Sequence, residues 1–337
     1  MRALRVVLVG AGGMGRAWAG TIADNPEVSL VGWVDLVKDR VANAAEALGL
    51  ANVAVEEDLA TALVDLLPDF VVDVAVPEAH HEVTRRCLER GVPVLGEKPM
   101  AASLPEARDL VERSERSSTL FVVSQNRRYN RGLAAFKGLV AERLGGIGHL
   151  NAAFYRGPHF GGFRDEMHSP LLVDMAIHTF DAARYITGAD PVSVSCTEVN
   201  PPWSWYRGAA SAVAEFEFSG GIRFSYVGSW CAEGLETSWD SSWRAIGTLG
   251  SAIWDGSGNP VAEVRPRGSE VPGFERIEAP PAAIAGEDIA GSLADFVKAL
   301  RTGEVPMNEC HDNLASFAMV MAALESSRSG CRVAVER

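Results

Sequence analysis

The sequence lacks both the long apolar runs of membrane proteins and the paired cysteines of disulfide-rich or zinc-ribbon proteins. No uninterrupted apolar run approaches the roughly 18 residues that a membrane helix needs. The five cysteines are widely scattered, and none forms a Cys-x-x-Cys pair. The first strand-like segment begins at Leu4, which leaves no room for a signal peptide. We therefore expect reduced thiols and a cytoplasmic location.

Basic residues are also in short supply. Lys and Arg number 31 against 44 Asp and Glu, for a net charge of −13. Nucleic acids and anionic membranes bind basic surfaces, so neither is expected as a partner. At about 150 residues per domain, the 337 residues are enough for two domains, each with its own core.

The first 125 residues alternate short apolar runs with amphipathic stretches of helical period. The strand-like runs are 4–9, 28–34, 70–76, 92–95 and 120–123. The helix-like stretches between them are 14–25, 39–48, 59–67, 79–90 and 104–116. Val- and Leu-rich strands separated by helices predict a doubly wound parallel sheet that is covered on both faces.

The pattern changes after Gln125. Helical periodicity is found at 132–144, 170–187, 287–301 and 313–328. Strand-like segments with a period of two are found at 149–155, 192–199, 212–218, 222–229, 243–249 and 261–264. Their close spacing and Gly or Pro turns predict an antiparallel sheet, and Gly256–Gly273 is expected to be a surface loop or hairpin.

A glycine-rich turn joins the first predicted strand to the first helix. Gly10, Gly12 and Gly15 satisfy the G-x-G-x-x-G pattern, with Gly13 and Met14 between them. The pattern suits a pyrophosphate at a helix N-terminus, as in Rossmann domains. Asp35 ends the second strand, where a carboxylate accepts both ribose hydroxyls and repels a 2′-phosphate. NAD is therefore the expected cofactor, and NADP is the less favoured alternative.

Two further motifs carry candidate chemistry. Glu97-Lys98-Pro99 follows the fifth strand at the carboxyl edge of the sheet, where open α/β sheets bind ligands. Asp174 and His178 fall on one face of a helix, so a carboxylate can orient a general base. The alternatives are a solvated surface Lys98, a structural Asp–His pair, or half of a metal site. The last needs further ligands, and no metal site is predicted.

Taken together, these motifs resemble those of the Gfo/Idh/MocA oxidoreductase family. The resemblance rests on the glycine turn, Asp35, Val76-Pro77-x-x-His80, Glu97-Lys98-Pro99 and Asp174-x-x-x-His178-x-x-Asp181, and it covers nearly the whole chain. It implies a Rossmann domain at 1–125 and an α/β domain at 126–337. The second domain would have a large, open, mostly antiparallel sheet that pairs chains into a homodimer or homotetramer. It also implies oxidation or reduction of sugars, cyclitols and related polyols with NAD(P).

The resemblance also assigns roles residue by residue. Lys98 would hold the substrate hydroxyl, His178 would take its proton, and Asp174 would support His178 and bind substrate. Asp181 is expected to be structural. The cofactor set would comprise Gly10, Gly12, Gly13, Met14, Gly15, Asp35, Val76, Pro77, His80, Glu97 and Lys98. The substrate set would comprise Lys98, Asn126, Arg127, Tyr155, Asp174 and His178.

The function expected from these motifs is an NAD-dependent dehydrogenase of a sugar or polyol. An NADP-linked keto-sugar reductase and an inert NAD(H)-binding sensor are the alternatives, but a sensor has no need of Lys98, Asp174 and His178. Two features depart from the family or stand outside it. Ser169-Pro170 replaces the usual glycine pair before the catalytic helix. Six tryptophans lie between Trp203 and Trp254. Trp205 or Tyr206 could stack on a sugar, but packing on the sheet or at an oligomer interface is the favoured interpretation.

Overall fold

The computed structural model describes residues 2–50, 52–266 and 273–337, and it divides into two compact units. The first comprises Met1–Asn126 and Ala285–Leu314, and the second comprises Arg127–Ile284 and Ala315–Arg337. The functional boundary between residues 125 and 126 stays a prediction. Within the predicted loop Gly256–Gly273, residues 261–264 form a strand, and part of the loop lies outside the described residues. In the described ranges no helix is both long and apolar enough to cross a bilayer.

The elements are numbered along the chain. The strands are β1 (Leu4–Val9), β2 (Val28–Val34), β3 (Ala54–Glu56), β4 (Phe70–Asp73), β5 (Val94–Glu97), β6 (Phe121–Ser124), β7 (Ile147–Tyr155), β8 (Pro191–Val199), β9 (Ser211–Phe218), β10 (Arg223–Ser229), β11 (Ser242–Gly247), β12 (Gly250–Trp254), β13 (Val261–Val264), β14 (Glu275–Glu278) and β15 (Val333–Ala334). The helices are α1 (Gly13–Ala23), α2 (Lys38–Ala47), α3 (Leu59–Asp65), α4 (Pro77–Leu88), α5 (Leu104–Ser117), α6 (Arg131–Arg143), α7 (Ile177–Thr187), α8 (Asp288–Thr302) and α9 (Cys310–Ser329).

The first unit contains a six-stranded parallel sheet in the order β3-β2-β1-β4-β5-β6. The central strands are continuous apolar runs because helices cover both faces, and β4 is buried throughout. Trp18, Trp33 and Phe70 fill the core, which α8 completes through Phe296. The doubly wound fold is confirmed. The short strand β3 was not predicted, since three half-buried residues carry no periodic signal.

The second unit contains a nine-stranded sheet in the order β14-β13-β12-β11-β7-β10-β9-β8-β15. Among the described strand pairs of this sheet, only β7–β10 is parallel. The predicted, mostly antiparallel sheet is therefore confirmed. Alternation along β9 buries Phe216, whose ring lies 4.8 Å from Phe180 of α7. The aromatic side chains therefore pack on the helix-covered face. Strand periodicity directs alternate side chains to opposite faces of the sheet, which separates these aromatic residues from the outer face.

Two buried polar pairs lie beneath the carboxyl ends of β4 and β5 in the first unit. Asp73 ends β4, and its Oδ2 lies 2.9 Å from Nδ1 of His80 on α4. Both residues are almost fully buried. Glu97 ends β5, and its Oε1 accepts a hydrogen bond of 2.8 Å from the indole N–H of Trp18. These contacts fasten α4 and α1 to the ends of β4 and β5, next to the candidate cofactor residues.

Burial and charge act in opposite directions on the two titratable groups. Burial alone would lower the pKa of His80, but the charge and hydrogen bond of Asp73, aided by Glu97, outweigh it and raise that pKa. Burial raises the pKa of Glu97, and the Trp18 hydrogen bond and Lys98 only partly oppose it. An imidazolium is therefore favoured beside Asp73.

We predict that the His80–Asp73 pair makes the stability of this unit depend on pH. Because the folded pKa of His80 lies above 6.5, its contribution is complete below pH 6.5 and is lost as the pH rises through the folded value. The difference in unfolding free energy between the parent and His80→Gln should fall by up to about 1.4 kcal/mol per pH unit in that window. Urea unfolding across the pH range measures it.

The matched control is His81→Gln on the same helix, where the imidazole is partly exposed and contacts Asp109. It should leave the slope of stability against pH close to that of the parent. A constant difference between parent and His80→Gln at every pH would contradict the prediction.

Candidate functional site

The glycine turn between β1 and α1 has the geometry of a dinucleotide site. Gly10 has φ +101°, and a Cβ there would lie 2.4 Å from the carbonyl oxygen of Val74. A Cβ on Gly15 would lie 2.2 Å from the carbonyl oxygen of Gly10, so both positions require glycine. A Cβ on Gly12 or Gly13 would meet no atom within 4 Å. The turn is thus closed toward the sheet and open above the helix N-terminus, which fits a bound pyrophosphate.

Asp35 lies immediately after β2 and contacts this turn. Its Oδ2 accepts a hydrogen bond of 2.8 Å from the backbone N–H of Ala11, and its Oδ1 accepts one of 3.0 Å from Val37. The indole of Trp33 donates to the carbonyl of Gly10 at 2.8 Å. The carboxylate therefore lies beside the glycine turn, and its contact with a ribose stays a prediction.

The remaining predicted cofactor residues of the first unit lie at neighbouring strand ends. Val76 precedes α4 and is largely exposed, and Pro77 begins that helix. Lys98 follows β5 and is joined to Pro99 by a cis peptide bond. His80, in contrast, is buried against Asp73, so its ring lies inside the unit. Together the exposed groups form an edge that can receive a dinucleotide.

Asp174 and His178 lie on consecutive helical segments of the second unit. Residues Leu171–Ala176 form a π-helical segment that contains Asp174 and continues into α7, so the predicted single helix changes its winding between Ala176 and Ile177. Such segments are frequent at functional sites. Both side chains are buried.

Arg164 is a partner of Asp174 that the sequence analysis missed. Its Nε donates to Oδ2 of Asp174 at 2.7 Å. It stands on the short helical turn Gly162–Glu166, and its guanidinium lies 4.7 Å from the ring centre of Phe163. The two partners are ten positions apart and lie on two different helical segments, so no periodicity could have indicated the pair.

Asp181 is structural. Its two carboxylate oxygens accept hydrogen bonds of 2.8 and 2.7 Å from Nε and Nη2 of Arg128. The Oδ1 atom also accepts one of 2.6 Å from Ser316. The carboxylate is nearly fully buried, and these hydrogen bonds hold α7 against Arg128 and Ser316.

A small pocket in the second unit places His178 beside an ion pair. Its lining consists of Arg127, Leu133, His178, Thr179, Ala182, Trp239, Asp240 and Trp243. Arg127 Nη1 donates to Asp240 Oδ1 at 2.7 Å, and Asn130 donates to the other oxygen at 3.1 Å. Arg127 thus lines the same pocket as His178, and Asp240 is an additional candidate. Contact of Arg127 with a substrate stays a prediction.

Of the other predicted substrate residues, Asn126 belongs to the first unit and donates to Asp288. Tyr155 ends β7, and its backbone N–H donates to Thr237. Among the tryptophans, Trp205 stacks on His159 with ring centres 3.7 Å apart, whereas Trp239 lines the His178 pocket. The tryptophans that line the His178 pocket are therefore Trp239 and Trp243, neither of which the sequence analysis singled out.

Comparison with known proteins agrees with this architecture. Residues 4–125 match the family model described as "Oxidoreductase family, NAD-binding Rossmann fold", and residues 134–253 match the "GFO/IDH/MocA C-terminal domain". The scyllo-inositol 2-dehydrogenase (NAD(+)) of Bacillus subtilis is 25% identical over 355 aligned positions, which cover 99% of this chain and 96% of that protein.

Two solved structures share the fold over the full length. An oxidoreductase from Agrobacterium radiobacter, in complex with NAD+, L-tartaric acid and magnesium, has a TM-score of 0.86 at 22% identity and 98% coverage of both chains. Levoglucosan dehydrogenase, in complex with NADH and levoglucosan, has a TM-score of 0.86 at 19% identity and covers both chains completely. Since both family models match in succession along it, the chain belongs to the Gfo/Idh/MocA family of NAD-binding oxidoreductases.

Proposed function

We propose that this oxidoreductase is an NAD-dependent dehydrogenase of a sugar or polyol, cyclitols included. The observation that carries the proposal is the pocket in which His178 lies with Arg127, Asp240 and Trp239. Its lining supplies a proton acceptor, hydrogen-bonding groups and aromatic rings, which are the side-chain types that act on a hydroxylated substrate. The relatives named inositol 2-dehydrogenase and the levoglucosan dehydrogenase structure support a polyhydroxylated substrate.

The proposed chemistry divides between the cofactor and the chain. NAD, when bound, supplies the hydride acceptor. The N–H groups at the start of α1 hold the pyrophosphate, and Asp35 accepts the ribose hydroxyls, with Val76 and Pro77 alongside. The placement of Asp35 disfavours a 2′-phosphate, and the adjoining Leu36 is exposed and offers no positive charge. NADP is therefore the poorer cofactor.

In oxidation, His178 accepts the proton of the substrate hydroxyl, and Lys98 stabilises the oxygen from which that proton leaves. These two roles rest on the family motifs. Asp174 binds substrate and supports the imidazolium formed on His178. Arg164 holds the carboxylate of Asp174 in one orientation through the 2.7 Å hydrogen bond, so we assign it a positioning role.

We further propose that the chain forms a homodimer or homotetramer through the nine-stranded sheet. The face opposite α7 exposes Val213 of β9 and Ile253 of β12, which lie in one shallow depression with Val227 of β10. Apolar side chains grouped on an open sheet favour cover by a second copy. The location of the protein in the cytoplasm stays a prediction.

The catalytic prediction is that His178→Ala lowers kcat by about 10²–10⁴, the usual effect of losing a positioned general base. NADH affinity should change little, because the cofactor residues lie in the other unit. Lys98→Ala should lower kcat and raise the KM of the substrate. NADH formation with a panel of hexoses, pentoses and inositols, followed by steady-state kinetics on the best substrate, measures these effects.

The matched control is His149→Ala, on β7 outside the pocket, which should keep the parent kinetics. The lower-pH limb of kcat/KM should disappear in His178→Ala alone. If that variant retains most of its activity with an unchanged pH profile, the Asp174–His178 assignment is wrong. Binding of NADH without turnover of any compound would instead favour a sensor.

The positioning prediction concerns Arg164. Arg164→Ala should reduce kcat/KM by about 10- to 100-fold, since a hydrogen bond to a buried carboxylate is lost. Arg164→Lys should recover part of that loss by restoring the charge. Arg207→Ala, which removes an exposed partner of Glu166, is the control. Equal kinetics for Arg164→Ala and Arg207→Ala would rule out the positioning role.

The assembly prediction is that light scattering finds two or four chains per particle at micromolar concentration. Val213→Asp should shift the protein toward monomer, because it introduces a charge into the proposed contact. Val305→Asp, at an exposed position in the first unit, should not. A stable monomer for the parent protein would refute the proposal.

A further inference from the structure

Three consecutive side chains converge where α9 begins, within the first unit and apart from the residues assigned above. Cys310 Sγ lies 2.9 Å from Oε1 of Glu309 and 3.6 Å from Nδ1 of His311. The same Nδ1 atom lies 2.8 Å from Oε1 of Glu309. The three candidate ligand atoms all lie within 4.8 Å of one another, so a single ion can reach all of them.

The donor set points to a metal of intermediate softness. Thiolate, imidazole and carboxylate are the three ligand types of protein zinc sites, with bonds of about 2.0–2.3 Å in tetrahedral geometry. Those bonds separate neighbouring ligand atoms by roughly 3.3–3.7 Å. The pair of Cys310 and His311 already has that spacing, and the two contacts of Glu309 need to lengthen by only a fraction of an ångström. We propose that Glu309, Cys310 and His311 bind one Zn²⁺ ion.

A carboxylate from a different element supports this arrangement. Glu115, near the end of α5, lies with its Oε1 2.8 Å from Nε2 of His311. A metal-bound histidine characteristically donates its other N–H to a carboxylate, which fixes the ring and makes the coordinating nitrogen more basic. In this protein, Nε2 of His311 contacts the Glu115 carboxylate. This contact leaves Nδ1, which faces Glu309 and Cys310, as the nitrogen that would bind zinc.

Charge and protons balance on binding. The ion displaces the thiol proton of Cys310 and any proton on Nδ1 of His311. The thiolate and the Glu309 carboxylate then neutralise the two positive charges, and Glu115 accepts from the neutral imidazole. Cys310 is fully buried, but His311 is about half exposed. The ion can enter from the His311 side, where a water molecule completes the fourth position.

The position of the site indicates a structural role. The backbone N–H of Val123 in β6 donates to the carbonyl of Asn308, and Val122 pairs with Glu309 as an isolated bridge. Strand β6 lies at the edge of the parallel sheet. An ion held by residues 309–311 and braced by Glu115 fastens the beginning of α9 to β6 and α5. It therefore stabilises the first unit without acting on the substrate.

The test is titration of the purified, metal-free full-length chain with Co²⁺ and Zn²⁺. Co²⁺ should produce a sulfur-to-cobalt charge-transfer band that saturates at one ion per chain and is displaced by Zn²⁺. Saturating Zn²⁺ should raise the midpoint of thermal unfolding by about 2–5 °C. Cys310→Ser should abolish the band, whereas Cys331→Ser, at an exposed cysteine, should retain it.

Two exposed positions keep the test decisive if Cys310→Ser fails to fold. His311→Ala should lose the Zn²⁺-induced shift in unfolding. Glu115→Gln keeps every ligand but weakens the brace on His311, so Co²⁺ affinity should fall by about 10- to 100-fold. Absence of the band in the parent protein, its survival in His311→Ala, or its loss in Cys331→Ser would each overturn the proposal and leave a hydrogen-bonded cluster only.

Discussion

Each buried acidic side chain discussed above is paired with a hydrogen-bond donor, and these pairs hold the elements around the candidate site in place. Burying an unpaired carboxylate costs several kcal/mol, so each buried acid draws a donor from another element. Asp73 is hydrogen-bonded to His80, Glu97 to Trp18, and Asp181 to Arg128. Each pair joins a helix to a strand end or to another helix. The pairs therefore fasten these elements to one another.

The same constraint separates the two acids of the motif around His178. Asp174 and Asp181 stand seven residues apart on one helical run, and periodicity alone treats them alike. Arg128 and Ser316 consume the oxygens of Asp181 in the interior, whereas Asp174 meets Arg164 nearer the surface. The carboxylate of Asp181 thus serves packing, and that of Asp174 stays the candidate for chemistry. The difference lies in their partners and not in their spacing.

The sheets of the two units differ in which surfaces they expose. The parallel sheet is buried on both faces and exposes its carboxyl ends and the glycine turn. In that turn, backbone crowding leaves no room for a Cβ at Gly10 or Gly15, whereas a Cβ at Gly12 or Gly13 would meet no atom. The antiparallel sheet buries its aromatic side chains under α7 on one face and leaves Val213 and Ile253 on the other. The first architecture suits a cofactor, and the second suits a substrate pocket and a partner chain.

Local patterns in the sequence were sufficient for the two types of sheet and for the residues of the recurrent motifs, though not for short strands such as β3. Continuous apolar runs indicated the parallel strands, alternation indicated the antiparallel ones, and the glycine turn with Asp35 indicated the cofactor. These are short-range properties of strands and turns, and each is visible within about 20 residues.

The partners were decided by the tertiary structure alone. Four contacts join residues from separate elements: Arg164 with Asp174, Asp240 with Arg127, Trp239 with the His178 pocket, and Glu115 with His311. Glu309, Cys310 and His311 are adjacent but follow none of the usual ligand spacings, so only the fold shows that their side chains converge. Periodicity records which face a residue occupies. The side chain that meets it depends on how distant elements pack, which no local pattern encodes.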